Sequence, residues 1–126
     1  MKRLFQVFLS MCLSLLTVGA TLGQQAPDDF TRLSDSILSS ENIPYNKFDH
    51  LLAPFAQDEI LLDSLIEKSK KTGNLIGEAY GYNQLGKLSA NRFNYRKAIE
   101  YHRNALQIAK EKRQSELTLS TLNLLG

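Results

Sequence analysis

The sequence matches itself when it is shifted by 40 residues. Residues 83–86, Asn-Gln-Leu-Gly, fall on residues 123–126, Asn-Leu-Leu-Gly, and residues 65–66 and 69–70 fall on pairs of comparable side chains. A repeat of this length made of two helices cannot bury its apolar face alone, so consecutive copies have to stack and share a core. The self-match therefore predicts an all-α chain, an α-solenoid of antiparallel helix hairpins.

Apolar residues recur at helical spacing through most of the chain after residue 27. The expected helices cover about 58–72, 75–90 and 95–112, with another from Ser115. Gly73 is expected to end the first of these in the left-handed conformation that glycine tolerates, and residues 91–94 form a turn. Residues 24–57 are expected to form leader or capping helices, which Pro44 and Pro54 interrupt. The alternative for residues 30–55 is a degenerate first repeat.

The first 23 residues have the pattern of a secretory signal peptide. Lys2 and Arg3 precede an apolar run from Leu4 to Val18, and residues 19–23 are mostly small. This pattern predicts export to a periplasmic or other extracytoplasmic space, with membrane attachment if the leader stays in place. One alternative is an uncleaved membrane anchor over residues 4–22. The other is lipidation of Cys12, which the residues around this cysteine favour less.

Charge and cysteine content exclude several classes of protein. The net charge is +2, and Lys2 and Arg3 of the leader account for it, so the remainder is neutral. A nucleic-acid-binding protein normally carries a basic stripe, so we expect no nucleic-acid partner. Cys12, in the leader, is the single cysteine, which leaves the exported part without disulfides or cysteine-bound metals.

The sequence shows no catalytic constellation. The two histidines, His50 and His102, have no further ligand at metal-binding spacing, and no glycine-rich phosphate loop is present. Asp28 and Asp29 fit a helix cap better than a general-acid pair. We therefore expect a non-catalytic chain with no cofactor and no metal, in which His102 is a packing residue on an apolar face.

The segment from Tyr82 to Ala105 carries a recognisable spacing. Tyr82-x-x-Leu85-Gly86 followed by Ala98-x-x-x-His102-x-x-Ala105 resembles the tetratricopeptide repeat (TPR) family, in its long 40-residue variety. Tyr82 stands in place of the family's Trp. Three positions depart from the family pattern, namely Ser89, His102 and Lys110. One full repeat covers about 75–113, within a repeat region of 58–126.

The resemblance assigns packing roles to the matched residues. Gly86 and Ala98 are small because the two helices of a hairpin cross closely there, and Ala105 leaves room for the next hairpin. Tyr82 and Leu85 fill the groove between them. The resemblance thus predicts structural roles for six signature residues: Tyr82, Leu85, Gly86, Ala98, His102 and Ala105.

The family's concave surface is lined by the first helix of each repeat. The resemblance implies that a protein or extended peptide binds there, because amide side chains both donate to and accept from a peptide backbone. Asn83 and Asn123, one repeat apart, are expected to stack as a ladder. The candidate groove residues are Tyr80, Asn83, Lys87, Ala90, Asn91 and Asn123.

The expected function is an exported protein–protein or peptide interaction module. The layout resembles the N-terminal sensory part of a larger bacterial signalling protein, with a membrane span and a kinase output domain beyond residue 126. Gly126 corresponds to the mid-helix residue Gly86, so we expect the chain to continue. The alternatives are a helical scaffold of a secreted or membrane-attached enzyme or nutrient-uptake protein, and a small TPR protein that self-associates through its C-terminal end.

Overall fold

A computed structural model describes residues 28–40, 42–112 and 115–125. Within these ranges all regular structure is helical and no strand occurs, so the predicted all-α class is confirmed. The helices are α1 (28–39), α2 (Tyr45–Leu52), α3 (Glu59–Thr72), α4 (Leu75–Asn91), α5 (Tyr95–Lys112) and α6 (Ser115–Leu125). A short 3-10 helix, Ala53–Phe55, follows α2. The predicted signal peptide lies outside the described residues.

The chain divides into two compact units, Met1–Arg32 and Leu33–Gly126. Of the first unit the structure describes residues 28–32, which belong to α1 and include Asp28 and Asp29 in its first turn. The second unit contains the rest of α1 and helices α2 to α6.

Side-chain and glycine caps set the helix boundaries. Asp58 accepts hydrogen bonds from two backbone amides in the first turn of α3, and Asn74 accepts one from Gly77 in α4. Gly73 ends α3 with φ 71°, which confirms the predicted left-handed cap. Asn94 accepts a hydrogen bond from the amide of Lys97 and so caps α5. These tight turns make α3, α4 and α5 antiparallel neighbours.

Helix α4 is the centre of the second unit, since it contacts α2, α3, α5 and α6. On its α3 side the contact depends on two glycines, four residues apart. A methyl group at Gly77 would lie 2.5 Å from Ser69 Oγ, and one at Gly81 would lie 2.5 Å from Ile66 Cγ1. A larger residue at either glycine would overlap these α3 side chains, so this glycine spacing serves close helix packing.

On its α5 side, α4 makes an equally close contact at Gly86. A methyl group at this position would overlap the imidazole ring of His102, with its carbon 2.6 Å from Nε2. Leu85, Ala98 and Ala105 are buried around the same crossing. The close approach expected at Gly86 is thus present, and Ala98 is buried.

The apolar spacing of residues 60–66 predicts one buried face of α3, but Ile60 does not lie on it. It is 79% exposed, whereas Leu62, Leu65 and Ile66 are buried. Successive residues of an α-helix are about 100° apart, which places Ile60 roughly opposite Leu62. The helix begins at Glu59, so no preceding turn covers the side chain of Ile60.

The Gly86–His102 contact predicts that Gly86→Ala changes the free energy of unfolding in opposite directions when His102 is present and when it is replaced. Gly86→Ala in the otherwise unchanged chain should lower the free energy of unfolding by about 1–2 kcal/mol, because the methyl group meets the imidazole ring. In a His102→Ala background the same change should raise it by up to about 1 kcal/mol, since alanine is the better helix former. Urea denaturation of the four proteins measures both effects. Equal effects in the two backgrounds would contradict the close contact.

Candidate functional site

A polar cluster surrounds the side chain of Asn83 in the middle of α4. Asn83 is 0% exposed. Its Nδ2 donates hydrogen bonds to Tyr45 Oη at 3.1 Å and to Thr121 Oγ1 at 3.0 Å, while its Oδ1 lies 3.1 Å from His102 Nδ1. An amide oxygen can only accept, so His102 carries a proton on Nδ1 and donates it. These four residues form what we call the Asn83 cluster.

The cluster joins four helices through one side chain. Tyr45 belongs to α2, Thr121 to α6 and His102 to α5, and all three bond to Asn83 of α4. Tyr45 and Thr121 are each 38 residues from Asn83 along the chain. One side chain of α4 therefore bonds to α2 and to α6 across equal intervals of sequence.

The expected ladder between Asn83 and Asn123 does not form. The residue of α6 that bonds to Asn83 is Thr121, which is fully buried, and Asn123 is exposed. Residues two positions apart lie about 200° apart around a helix, so only one of the two can face α4. The sequence matches itself at a shift of 40 residues, whereas the hydrogen bonds of Asn83 join residues 38 positions apart. The sequence alignment therefore pairs Asn83 with a residue two positions beyond its actual partner in α6.

Tyr80 and Asn83 do not line an open groove, contrary to what the resemblance implied. Both side chains are 0% exposed. The ring of Tyr80 packs against Tyr45 at 5.7 Å and Phe48 at 6.2 Å between ring centres, so α2 covers this part of α4. Burial also raises the pKa of the Tyr80 hydroxyl, which keeps it neutral.

The other predicted groove residues remain accessible. Lys87 and Ala90 are half-buried, and Asn91 and Asn123 are exposed. Three of the four lie in the C-terminal half of α4, beyond the part that α2 covers, and Asn123 lies on α6, which contacts α4. The α4 residues offer one ammonium group and one primary amide, and Asn123 offers a second amide on α6.

Tyr82 lies at the surface and links helices there, although the resemblance implied that it fills an interior groove. It is half-buried and stacks on Tyr101 of α5, with 6.2 Å between ring centres and 28° between planes. The ammonium group of Lys70, on α3, lies 5.9 Å from the centre of the Tyr82 ring. A cation and two aromatic rings therefore connect α3, α4 and α5. The remaining signature residues, including His102, are buried.

The environment of His102 favours the neutral imidazole. Burial, and to a smaller extent the positive charge of Lys87, lowers the pKa of His102 below its ordinary value of 6.5. The expectation that His102 packs in the interior is confirmed, and the structure adds its hydrogen bond to Asn83. Sequence reasoning missed Tyr45 and Thr121, whose only signal is the equal 38-residue spacing from Asn83.

A cavity of 460 Å³ lies beside the turn between α3 and α4. Several of its hydroxyl groups already donate to backbone carbonyls, as Ser39, Ser40 and Thr72 do. The lining residues are Leu38, Ser39, Ser40, Asn42, Ile43, Pro44, Thr72, Gly73, Asn74, Leu75, Ile76 and Lys112. Only Lys112 among them carries a charge, so the cavity has no acid–base pair.

Two kinds of feature are absent from residues 28–40, 42–112 and 115–125. No group of three or more histidine, cysteine, aspartate or glutamate side chains is placed to hold a metal ion in these ranges. Nor does this part of the chain contain a helix that is both long and apolar enough to cross a bilayer. His50 is exposed on α2.

Comparison with protein-family models, with curated proteins and with solved structures finds no match to this chain.

Two asparagines, one buried and one exposed, test the Asn83 cluster directly. Asn83→Ala should lower the free energy of unfolding by about 3 kcal/mol, because it leaves buried polar groups of three partners without their hydrogen bonds. Asn123→Ala removes an exposed side chain of the same type and should change it by less than about 0.5 kcal/mol. Urea denaturation measures both. If the two variants were equally stable, the cluster would not hold the fold together.

The lowered pKa of His102 predicts a pH dependence of stability. Folding favours the neutral ring, so the unfolded chain binds more protons below the unfolded pKa of 6.5. Stability from this group is therefore fully present above pH 6.5 and is lost as the pH falls toward the lower folded-state pKa. Urea midpoints between pH 5 and 8 measure it.

The matched control for the pH experiment is the second histidine. His102→Asn keeps an amide donor near the position of Nδ1 but cannot titrate, so its midpoint should fall less steeply with acid than that of the unchanged chain. His50→Asn removes the exposed imidazole of α2 and is measured beside it. An unaltered slope in His102→Asn would assign the effect to other groups.

Proposed function

We propose that this chain is an exported, TPR-like helical-repeat module that binds a protein or an extended peptide. In this proposal the repeats form the N-terminal sensory part of a larger bacterial signalling protein, and the module itself performs no catalysis. The export part of the proposal is supported by the signal-peptide pattern of residues 1–23. The binding part is supported by the packing of the repeat region.

One observation carries the proposal: the Asn83 cluster connects α2, α4 and α6 at equal 38-residue intervals. A hairpin stack needs a contact that recurs from one copy to the next, and a buried polar contact is more selective than an apolar one. The close crossing of Gly86 and His102 supports the same arrangement within one hairpin. Together they favour a stack in which α2, α4 and α6 are the first helices of successive hairpins.

The proposed binding surface is the accessible part of the predicted groove on α4, which we call the groove surface: Lys87, Ala90 and Asn91. Asparagine amides can bond to both the N–H and the C=O of an extended peptide, which makes binding independent of peptide side chains. Lys87 adds a cation for a carboxylate, such as a peptide C-terminus or an acidic side chain. The expected ligand is therefore an extended peptide with at least one carboxylate.

The test is a selection of random peptides displayed on phage against the immobilised protein. We expect an enriched motif, and a synthetic peptide of that sequence should bind with an affinity that falls at least tenfold in the double variant Lys87→Ala/Asn91→Ala. That loss equals about 1.4 kcal/mol, in the range of one charge-assisted and one neutral hydrogen bond.

The matched control is Lys110→Ala, which removes an exposed lysine from α5 without touching the groove surface. It should bind the selected peptide as the unchanged protein does. No enriched motif, or a peptide that binds the double variant with unchanged affinity, would contradict binding at the groove surface. Equal urea midpoints of the three proteins ensure that the comparison concerns binding.

A further inference from the structure

The turn between α4 and α5 presents large apolar side chains to solvent. Phe93 and Ile60 are each 79% exposed and Tyr95 is 59% exposed. Phe93 and Tyr95 pack edge to face, with 6.4 Å between ring centres and 79° between planes. Ile60 lies at the same end of the hairpins, because its neighbour Glu59 forms an ion pair with Arg92 at 2.7 Å. We call this surface the hairpin tip: Ile60, Arg92, Phe93, Tyr95, Arg96 and Lys97.

Phe93 has a backbone conformation that disfavours a bulky residue. Its φ is 60°, in the left-handed region that glycine and asparagine adopt more readily. Its amide donates to the carbonyl of Ala90 at 2.9 Å, so the turn itself fixes this conformation. Phenylalanine therefore costs stability here and, being exposed, recovers little by packing within the chain. Such a residue indicates a role at the surface.

Cations surround the apolar side chains of the hairpin tip. Residues 92–97, Arg-Phe-Asn-Tyr-Arg-Lys, contain three cations and no carboxylate, although the exported part of the chain is neutral overall. Glu59 is the carboxylate in contact with them, 2.7 Å from Arg92 and 4.0 Å from Lys97. Asp58 accepts hydrogen bonds from the first turn of α3. With Asp58 and Glu59 counted against the three cations, the tip combines projecting apolar groups with a net charge of +1.

The shape of the tip favours a flat partner. Its apolar side chains project from a turn, whereas the 460 Å³ cavity lies at the other end of α4, beside Leu75 and Ile76. A peptide is usually held in a groove or along an open backbone edge, and the helical tip offers no edge strand. A bilayer needs only apolar groups that reach the headgroup boundary and cations that meet lipid phosphates.

We propose that the hairpin tip docks on the surface of an anionic lipid bilayer. Phe93, Tyr95 and Ile60 enter the headgroup region, while Arg92, Arg96 and Lys97 contact lipid phosphates. This docking is separate from peptide binding at the groove surface and does not depend on it.

The absence of tryptophan from the chain provides a local probe. Phe93→Trp places a single tryptophan at the tip, and Leu122→Trp places one at an exposed apolar position of α6 as the control. Vesicles of phosphatidylcholine with phosphatidylglycerol should shift the emission of Trp at position 93 to shorter wavelength and leave that at position 122 unchanged. Both proteins carry the same leader, so vesicle binding through the leader alone would not produce a difference in emission shift between positions 93 and 122.

Charge and apolar contact are then tested separately. In the Phe93→Trp protein, Arg96→Gln with Lys97→Gln should lower the vesicle partition coefficient about 30-fold, at about 1 kcal/mol for each cation near an anionic surface. Phe93→Gly should lower vesicle binding of the chain about tenfold. The same change should raise the urea midpoint, because glycine suits φ 60°. Weaker binding by a more stable protein cannot result from unfolding.

Three results would overturn the proposal. The first is an unshifted emission at position 93 when the protein has bound to anionic vesicles. The second is an equal shift with vesicles of phosphatidylcholine alone, which would remove the role of the cations. The third is a shift produced by soluble polyglutamate but not by vesicles, which would assign the tip to an acidic protein partner.

Discussion

The side chain of Asn83 uses both of its amide protons and its carbonyl oxygen inside the protein, and the packing of four helices depends on those bonds. Tyr45, His102 and Thr121 reach it from α2, α5 and α6. Apolar contacts tolerate small rotations and shifts of a helix, whereas a buried amide with three partners does not. The cluster therefore fixes how α4 is placed against its neighbours.

The glycines of α4 make that arrangement possible. Gly77 and Gly81 bring α3 close to one side of the helix, and Gly86 brings the His102 ring close to the other. Without the contact at Gly86, the imidazole could not lie close enough to bond to Asn83. The close approach of the α4 backbone at Gly86 and the hydrogen bond to Asn83 therefore depend on each other. His102 makes both contacts.

The sequence predicted the helices well because their signals are local. Gly73 as a left-handed cap and the helical spacing of apolar residues act over one or two turns, and the structure agrees with both. Predictions about faces failed where they depended on distant segments. Tyr80 and Asn83 were expected in an open groove, but α2 covers them, and no local pattern around residue 83 indicates that Tyr45 is its partner.

The described helices thus share a buried core at the Asn83 cluster and present two surfaces of different chemistry. The groove surface at the end of α4 is polar, with Lys87 and Asn91 accessible, and is the surface proposed to bind a peptide. The hairpin tip is apolar and cationic, and contains a strained phenylalanine. Both surfaces are positioned by α4, so the Asn83 cluster determines their placement as well.

Hydrogen exchange of the side-chain amide protons of asparagine, followed by NMR in heavy water, tests this central claim most directly. The protons of Asn83 should exchange only when the whole chain unfolds, and should show contacts to Tyr45 and Thr121, while those of Asn123 exchange freely. Equally fast exchange at both residues would contradict the account, because Asn83 would then be open to solvent and unable to hold the helices together.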